Sequence, residues 1–499
     1  MTTELTQALV PEKKGLDNAS RERALLWACA GAALALGTLA SLGSTEWQST
    51  VWILLLIVVG AWTLPLDWVV LAIAVSMPFQ FYFNLPGSAF ALRGAAIFVF
   101  AAAVRLLARR FIWQNWMLFA IAFVFAAAAG ALTAPDRFGA FKGIYDWLPV
   151  FGSALVAGQV MRTPAIRARL VGLLIGVGVL EALFGLVQYA IGLDAVVELL
   201  RHPVSRWIYQ PNLLSERLGD LSFNWVIFDR AAPFGTFING IDYAIFIASI
   251  LVLALALLMS GRRHEFGKKT GALLAAVLAM GAALLLTFKG SGALALAGGV
   301  MTLLVLGATN RIGGRPVQSR LIGRTVALGV LFLLGAVILI LPFADLIGQR
   351  ATFLLLREGG GTGTAGRLEI WQGLVQVFFQ RPFFGFGLNN APLFTEPMRT
   401  LRYGIVAYND TAPESGYVAA LVETGLFGFA ALLAMFAVTL ARGFRRVRTS
   451  SEPALSIGVV AAIVALFLGN LTVSGFTTHQ NGMLLGLLMG MVYSEWNLL

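Results

Sequence analysis

About fourteen apolar runs, most of them long enough to cross a bilayer as helices, constrain this chain more than any other feature. They lie near residues 24–42, 50–63, 65–80, 90–108, 115–133, 145–161, 167–191, 236–259, 270–288, 291–308, 322–344, 414–441, 455–472 and 478–496. A helix needs roughly 20 residues to cross the hydrocarbon core, and runs of this kind satisfy their backbone polar groups there only by coiling. The second and third runs are short and meet at Leu64, Pro65, Leu66 and Asp67, so a re-entrant hairpin is the other reading of that pair. The expected fold is therefore an all-α polytopic membrane protein of about 12–14 transmembrane helices. Charged residues make up only 12% of the chain, whereas soluble domains carry about 25%. Residues 1–23 read as a cytoplasmic tail without cleavable features, and the run after them as a helix that is kept.

Lys and Arg orient these helices. Alternate short loops carry Arg105, Arg109 and Arg110; Arg162, Arg167 and Arg169; Arg262, Arg263, Lys268 and Lys269; Arg311, Arg315, Arg320 and Arg324; and Arg442, Arg445, Arg446 and Arg448. With Lys13, Lys14, Arg21 and Arg23, they place both termini in the cytoplasm. This sorting accounts for most of the formal net charge of +11 without nucleic acid as a partner. The single cysteine, Cys29, lies inside the first run and reads as an inert buried thiol.

The chain then divides into membrane helices over 24–191, 236–344 and 414–499, with long non-cytoplasmic loops at 192–235 and 345–413. Long loops tend to be functional or disordered, and the aromatic residues Trp207, Tyr209, Phe223, Trp225 and Phe228 argue against disorder. In the second loop, Leu368, Ile370, Trp371, Leu374, Val375, Val377 and Phe378 follow a helical apolar period, as expected of a helix lying on the membrane surface. The run from Gly359 to Gly366 lacks the Gly-Lys-Ser/Thr ending of a phosphate loop and reads as a hinge or lid.

Four groups of residues remain that suit chemistry. Arg230 precedes Gly235, Thr236, Phe237 and Asn239 at the outer start of one helix. Lys289 stands in the short turn from Thr287 to Gly292. Arg367, Glu369 and Trp371 lead to Arg381, Pro382, Gly385, Gly387, Asn389 and Asn390. Asp410, Glu414 and Ser415 lead to Glu423, Thr424, Gly425 and Gly428. A cation held as close to the membrane as Lys289 is either functional or snorkelling. Thr411 and Glu414 also fit a capping box, which by itself explains an acidic residue there. Asp242 and Glu423 are the main ionisable groups inside the spans. His264 reads as solvated in a basic loop, His202 as a residue of a polar stretch before Pro203, and His479 as a residue at an outer turn that lines the site or simply sits at the interface. With three histidines in all, neither a metal nor a cofactor is expected.

In this order on a polytopic scaffold, the groups resemble the O-antigen ligase and polymerase superfamily of bacterial membrane glycosyltransferases. The likeness covers about residues 225–440; the earlier helices agree only in hydropathy. Lys289 stands where the family has arginine, two more residues separate Arg230 from Gly235, and Glu414 and Ser415 replace the family's His and Asn. The resemblance implies a multi-pass protein of the bacterial inner membrane with its active site on the non-cytoplasmic face. Its partners would be a polyprenyl-diphosphate-linked glycan, a glycan acceptor, the bilayer and polysaccharide assembly proteins. Arg230, Lys289, Arg367, Arg381 and His479 would bind substrate, with Glu414 as general base or Asp410 in its place. The leading expectation is a surface-polysaccharide polymerase. A ligase that attaches polysaccharide to lipid A core is the alternative, and a polysaccharide-lipid transporter or flippase is the rival from another class.

Overall fold

The computed structural model describes residues 57–78, 82–84, 91–108, 111–202, 226–227, 230–237, 239–260, 268–309, 311–312, 315–316, 364–403, 413–450, 452–473, 475–476 and 478–494. Helices dominate these residues, with three antiparallel ladders of two or three residues per strand. The first four labelled helices are α1 (Leu66–Ser76), α2 (Gly94–Leu107), α3 (Asn115–Leu132) and α4 (Arg137–Val160). They are followed by α5 (Pro164–Ile191), α6 (Leu193–Arg201), α7 (Gly240–Ser260), α8 (Lys268–Leu286) and α9 (Gly290–Thr309). The chain closes with α10 (Thr364–Phe378), α11 (Pro392–Tyr403), α12 (Gly416–Thr449), α13 (Pro453–Gly469) and α14 (His479–Tyr493). Among the described residues, five helices are long and apolar enough to cross a membrane, and four more are shorter but apolar. The chain is an all-α polytopic membrane protein. The runs at 24–42 and 322–344, with Cys29 and His264, lie outside the described residues.

Helix α7 forms the middle of the bundle. In its apolar stretch 78% of residues are buried, against 28% for α9, as expected of a helix that is apolar all round. It packs on α5, α8, α9 and α13. Two other pairs are close for a local reason. In α14, Gly482, Gly486 and Gly490 recur every fourth residue and lie against Val150, Ala154, Ala157 and Gly158 of α4; small residues in register let helices approach to backbone contact. Helix α12 packs along α3.

Polar contacts collect at the two ends. At the basic end, buried Arg167 pairs with Glu452 at 3.2 Å and donates to the carbonyls of Met161 and Arg162. There too Arg105 donates to the carbonyls of Ala61 and Leu64, where helical residues 57–63 give way to α1. The opposite end holds the described residues of the four sequence groups.

Helix α10 forms where the apolar period predicts it. Ile370, Leu374 and Val377 pack with Phe386, just after the helix, and with Val422 of α12, while Leu368 and Val375 stay exposed.

Candidate functional site

The stretch before α7 is held by two polar side chains of α5. Glu181, buried within the bundle, accepts from the Thr236 N–H at 2.9 Å and from the Thr236 hydroxyl at 2.8 Å. Gln188 accepts from the N–H groups of Phe234 and Gly235, and donates to the Gly235 carbonyl. Glu181 and Gln188 are seven residues apart, two helical turns, and so share a face. Gly235 has φ 56°, and a β-carbon there would run into the Glu181 carboxylate. Upstream, Arg230 is placed by its backbone opposite Ile227 in a short antiparallel ladder. The sequence reading missed Glu181, although a lone carboxylate inside an apolar run is itself a signal.

The glycines of the third and fourth groups serve a backbone clamp. Helix α12 is broken at Gly425, with φ 64° and ψ −170°, a conformation open essentially to glycine alone. The segment after α10 fits into that break. Phe386 N–H donates to Val422 O at 3.0 Å, Gly387 N–H to Glu423 O at 2.8 Å, Leu426 N–H to Pro382 O at 2.7 Å and Phe427 N–H to Phe383 O at 3.2 Å. The Glu423 carboxylate accepts from Ala391 N–H at 3.1 Å, just before α11. Asn390 donates to the Asp136 carbonyl and accepts from the Asp136 N–H. Arg381 donates to the Thr133 carbonyl at 2.5 Å and lies 4.8 Å from the centre of the Phe386 ring. In this way the third group is fixed between the α3–α4 turn and the break in α12, with Glu423 and Arg381 both engaged in holding it.

Glu414 is placed differently from the capping-box expectation. Helix α12 begins at Gly416, and its N-cap is Ser415, whose hydroxyl accepts from Val418 N–H at 3.4 Å. Glu414 therefore precedes the cap, in a left-handed conformation with φ 56°. Ser415 fills the role that the pattern assigned to Thr411, because Pro413 and Glu414 are not helical. The Glu414 carboxylate meets Arg367 of α10, with Oε2 and Nε 3.3 Å apart and both side chains partly exposed. Asp410 and Thr411 lie outside the described residues.

The remaining groups meet around the segment between α13 and α14. Gly416 N–H donates to the carbonyls of both Asn470 and Val473, so the start of α12 rests on this segment. Thr472 hydrogen-bonds Ser291, two residues from Lys289, at 2.6 Å. Lys289 crosses the start of α7, its Cε 3.4 Å from where a β-carbon on Gly240 would stand. Asp242, in the first turn of α7, is held by Asn239 at 2.6 Å and by Asn481 of α14. His479 is buried at the start of α14. Asn470, Thr472 and Val473 thus link the surroundings of Glu414 and Lys289, and sequence reasoning had picked only the nearby His479 from that region. His202 is exposed at the end of α6. Among the described residues, no three His, Cys, Asp or Glu side chains are grouped so as to hold a metal ion.

Chemically, the arrangement offers a cation at the amino end of one helix and a carboxylate paired with a guanidinium at the start of another, joined by buried amides. No curated protein matches the chain. Residues 275–433, from α8 through the broken helix α12, match the family model described as O-antigen ligase, a match that supports the resemblance to the O-antigen ligase and polymerase superfamily.

Proposed function

We propose that the chain is a surface-polysaccharide polymerase of the bacterial inner membrane, working at the non-cytoplasmic face on a polyprenyl-diphosphate-linked glycan. The observation that carries this reading is the convergence of Lys289 and the Glu414–Arg367 pair on the segment 470–476, within and beside the matched residues. In the reaction the acceptor hydroxyl gives its proton to the Glu414 carboxylate. Its oxygen bonds to the anomeric carbon of the donor, and the bond from that carbon to the diphosphate breaks. The leaving diphosphate gathers negative charge, which Lys289 and Arg230 stabilise. Arg367 orients Glu414.

Purified protein in lipid, given a lipid-linked repeat unit, should build a ladder of longer lipid-linked products. A single transfer to lipid A core would instead favour the ligase reading. Movement of the glycan without any transfer would favour a transporter.

Lys289→Ala is expected to lower turnover about 100-fold, in the range for loss of one charge-stabilising group, with an unchanged melting temperature. Lys289→Arg should keep part of the activity, because charge survives. Near-normal turnover of Lys289→Ala would leave Lys289 as a snorkelling residue. The face is tested separately: Glu396, exposed on α11, replaced by Cys in a Cys29→Ala background should react with a membrane-impermeant thiol reagent in intact spheroplasts. Reaction only after permeabilisation would place this end in the cytoplasm.

A further inference from the structure

Beside Lys289 lies a group of amides whose chemistry differs from that of a phosphate site. Asn470, at the end of α13, and Asn481, on α14, are each about 1% exposed. Their Oδ1 atoms have no hydrogen-bond partner among the described residues, nor does the Nε2 of buried Gln480 next to Asn481. A buried polar atom left unpaired costs about 1–3 kcal/mol. Asn470 donates its Nδ2 to the Leu466 carbonyl at 2.8 Å, so its amide orientation is fixed and Oδ1 is the atom left over. Asn481 donates to the Asp242 carbonyl at 3.1 Å, with the same consequence.

Two of the acceptors, Asn470 Oδ1 and Asp242 Oδ1, border the same glycine. Gly475 stands between Asn470 and Asp242: a β-carbon there would be 2.9 Å from Asp242 Oδ1 and 3.1 Å from Asn470 Oδ1. Both oxygens therefore flank the same side of Gly475 and lie close to one another. Anions are a poor match for these oxygens, whereas a hydroxyl donates to them. Rings are at hand as well, since Phe476 follows Gly475 and packs against Tyr417 at 5.1 Å and Trp147 at 6.2 Å.

We infer that Asn470, Asn481 and Asp242 form a subsite for hydroxyl groups of the sugar attached directly to the donor's diphosphate. The proximity of Lys289 to Gly240, two residues before Asp242, selects that sugar among those of the glycan, because it is the one covalently next to the phosphates. The inference rests on the reading of the chain as a transferase with a lipid-diphosphate donor. It adds that the enzyme distinguishes a sugar-bearing lipid diphosphate from a bare one.

The test compares binding of the lipid-diphosphate-linked repeat unit with binding of sugar-free polyprenyl diphosphate to purified full-length protein. Wild type should prefer the sugar-bearing lipid by about tenfold or more, the worth of one or two well-made hydrogen bonds. Asn470→Leu removes an acceptor, and Gly475→Ala fills the space between the oxygens without removing any polar group. Both should lose the preference while holding the sugar-free lipid within about twofold of wild type. Preserved preference in both variants, or equal weakening towards both lipids, would overturn the subsite. Equal binding of the two lipids by wild type would do the same. If Asn470→Leu does not fold, Gly475→Ala decides alone. Wild type that binds neither lipid would sink the transferase reading itself, a result separate from any of these.

Discussion

Glu414→Gln is expected to lower turnover by about 100- to 10,000-fold, the range for a general base, while the protein remains folded and still binds its lipid donor. The substitution is informative because Ser415, not Glu414, caps α12. A helix-capping role would be little changed by Gln, and the structure leaves Glu414 no such role to lose. The neutral amide keeps the size and the hydrogen-bonding reach of the carboxylate but cannot take the acceptor's proton. Arg367 contributes through position: with Oε2 3.3 Å from its Nε, the carboxylate is held in one orientation. Arg367→Ala should therefore lower turnover less than Glu414→Gln does. Turnover with lipid-linked donor is the measurement, and melting temperature and donor binding are the controls. Normal turnover of Glu414→Gln would end its role as base and move the search to Asp410.

The second large effect falls on stability. Gly425→Ala should reduce folded protein sharply, with a destabilisation of about 4 kcal/mol or more, a size that single substitutions reach only through a specific mechanism. Two causes act together. At φ 64° and ψ −170°, Gly425 occupies a region in which a β-carbon is strained. That β-carbon would also stand against the backbone carbonyl of Phe383 and the nitrogen of Phe384. Relief would require the 382–387 segment to withdraw, breaking its four backbone hydrogen bonds with 422–427. The yield of monodisperse protein in detergent and its thermal unfolding midpoint are the readouts. Wild-type values would mean that the break in α12 is not required for folding.

These two glycine-rich motifs show how the same residues can be legible as a pattern and opaque as a mechanism. The order of Pro382, Gly385, Gly387, Glu423, Thr424 and Gly425 points to the family. Nothing in that order says that the two stretches bind each other, or that Glu423 accepts from the backbone at Ala391. Arg381 is a similar case. As a cation in an outer loop it suits phosphate; that it also donates to Thr133 and lies over Phe386 is visible only in the fold.

The sequence by itself determined which segments are membrane helices and which loops are basic, because both follow from local apolar length and from charge. The described helices fall on the expected runs wherever the two overlap, and Lys289 and Glu414 were selected by residue type and order alone. Only the tertiary structure decided that Glu181 and Gln188 hold the turn before α7, that Ser415 caps α12, and that residues 470–476 join the surroundings of Lys289 to those of Glu414. The physical reason is one of range. Hydropathy is set by neighbours along the chain, whereas a buried polar atom must be paired by whichever helix packs beside it. Here the pairing reaches from Glu181 to Thr236, from Asp136 to Asn390 and from Asp242 to Asn481.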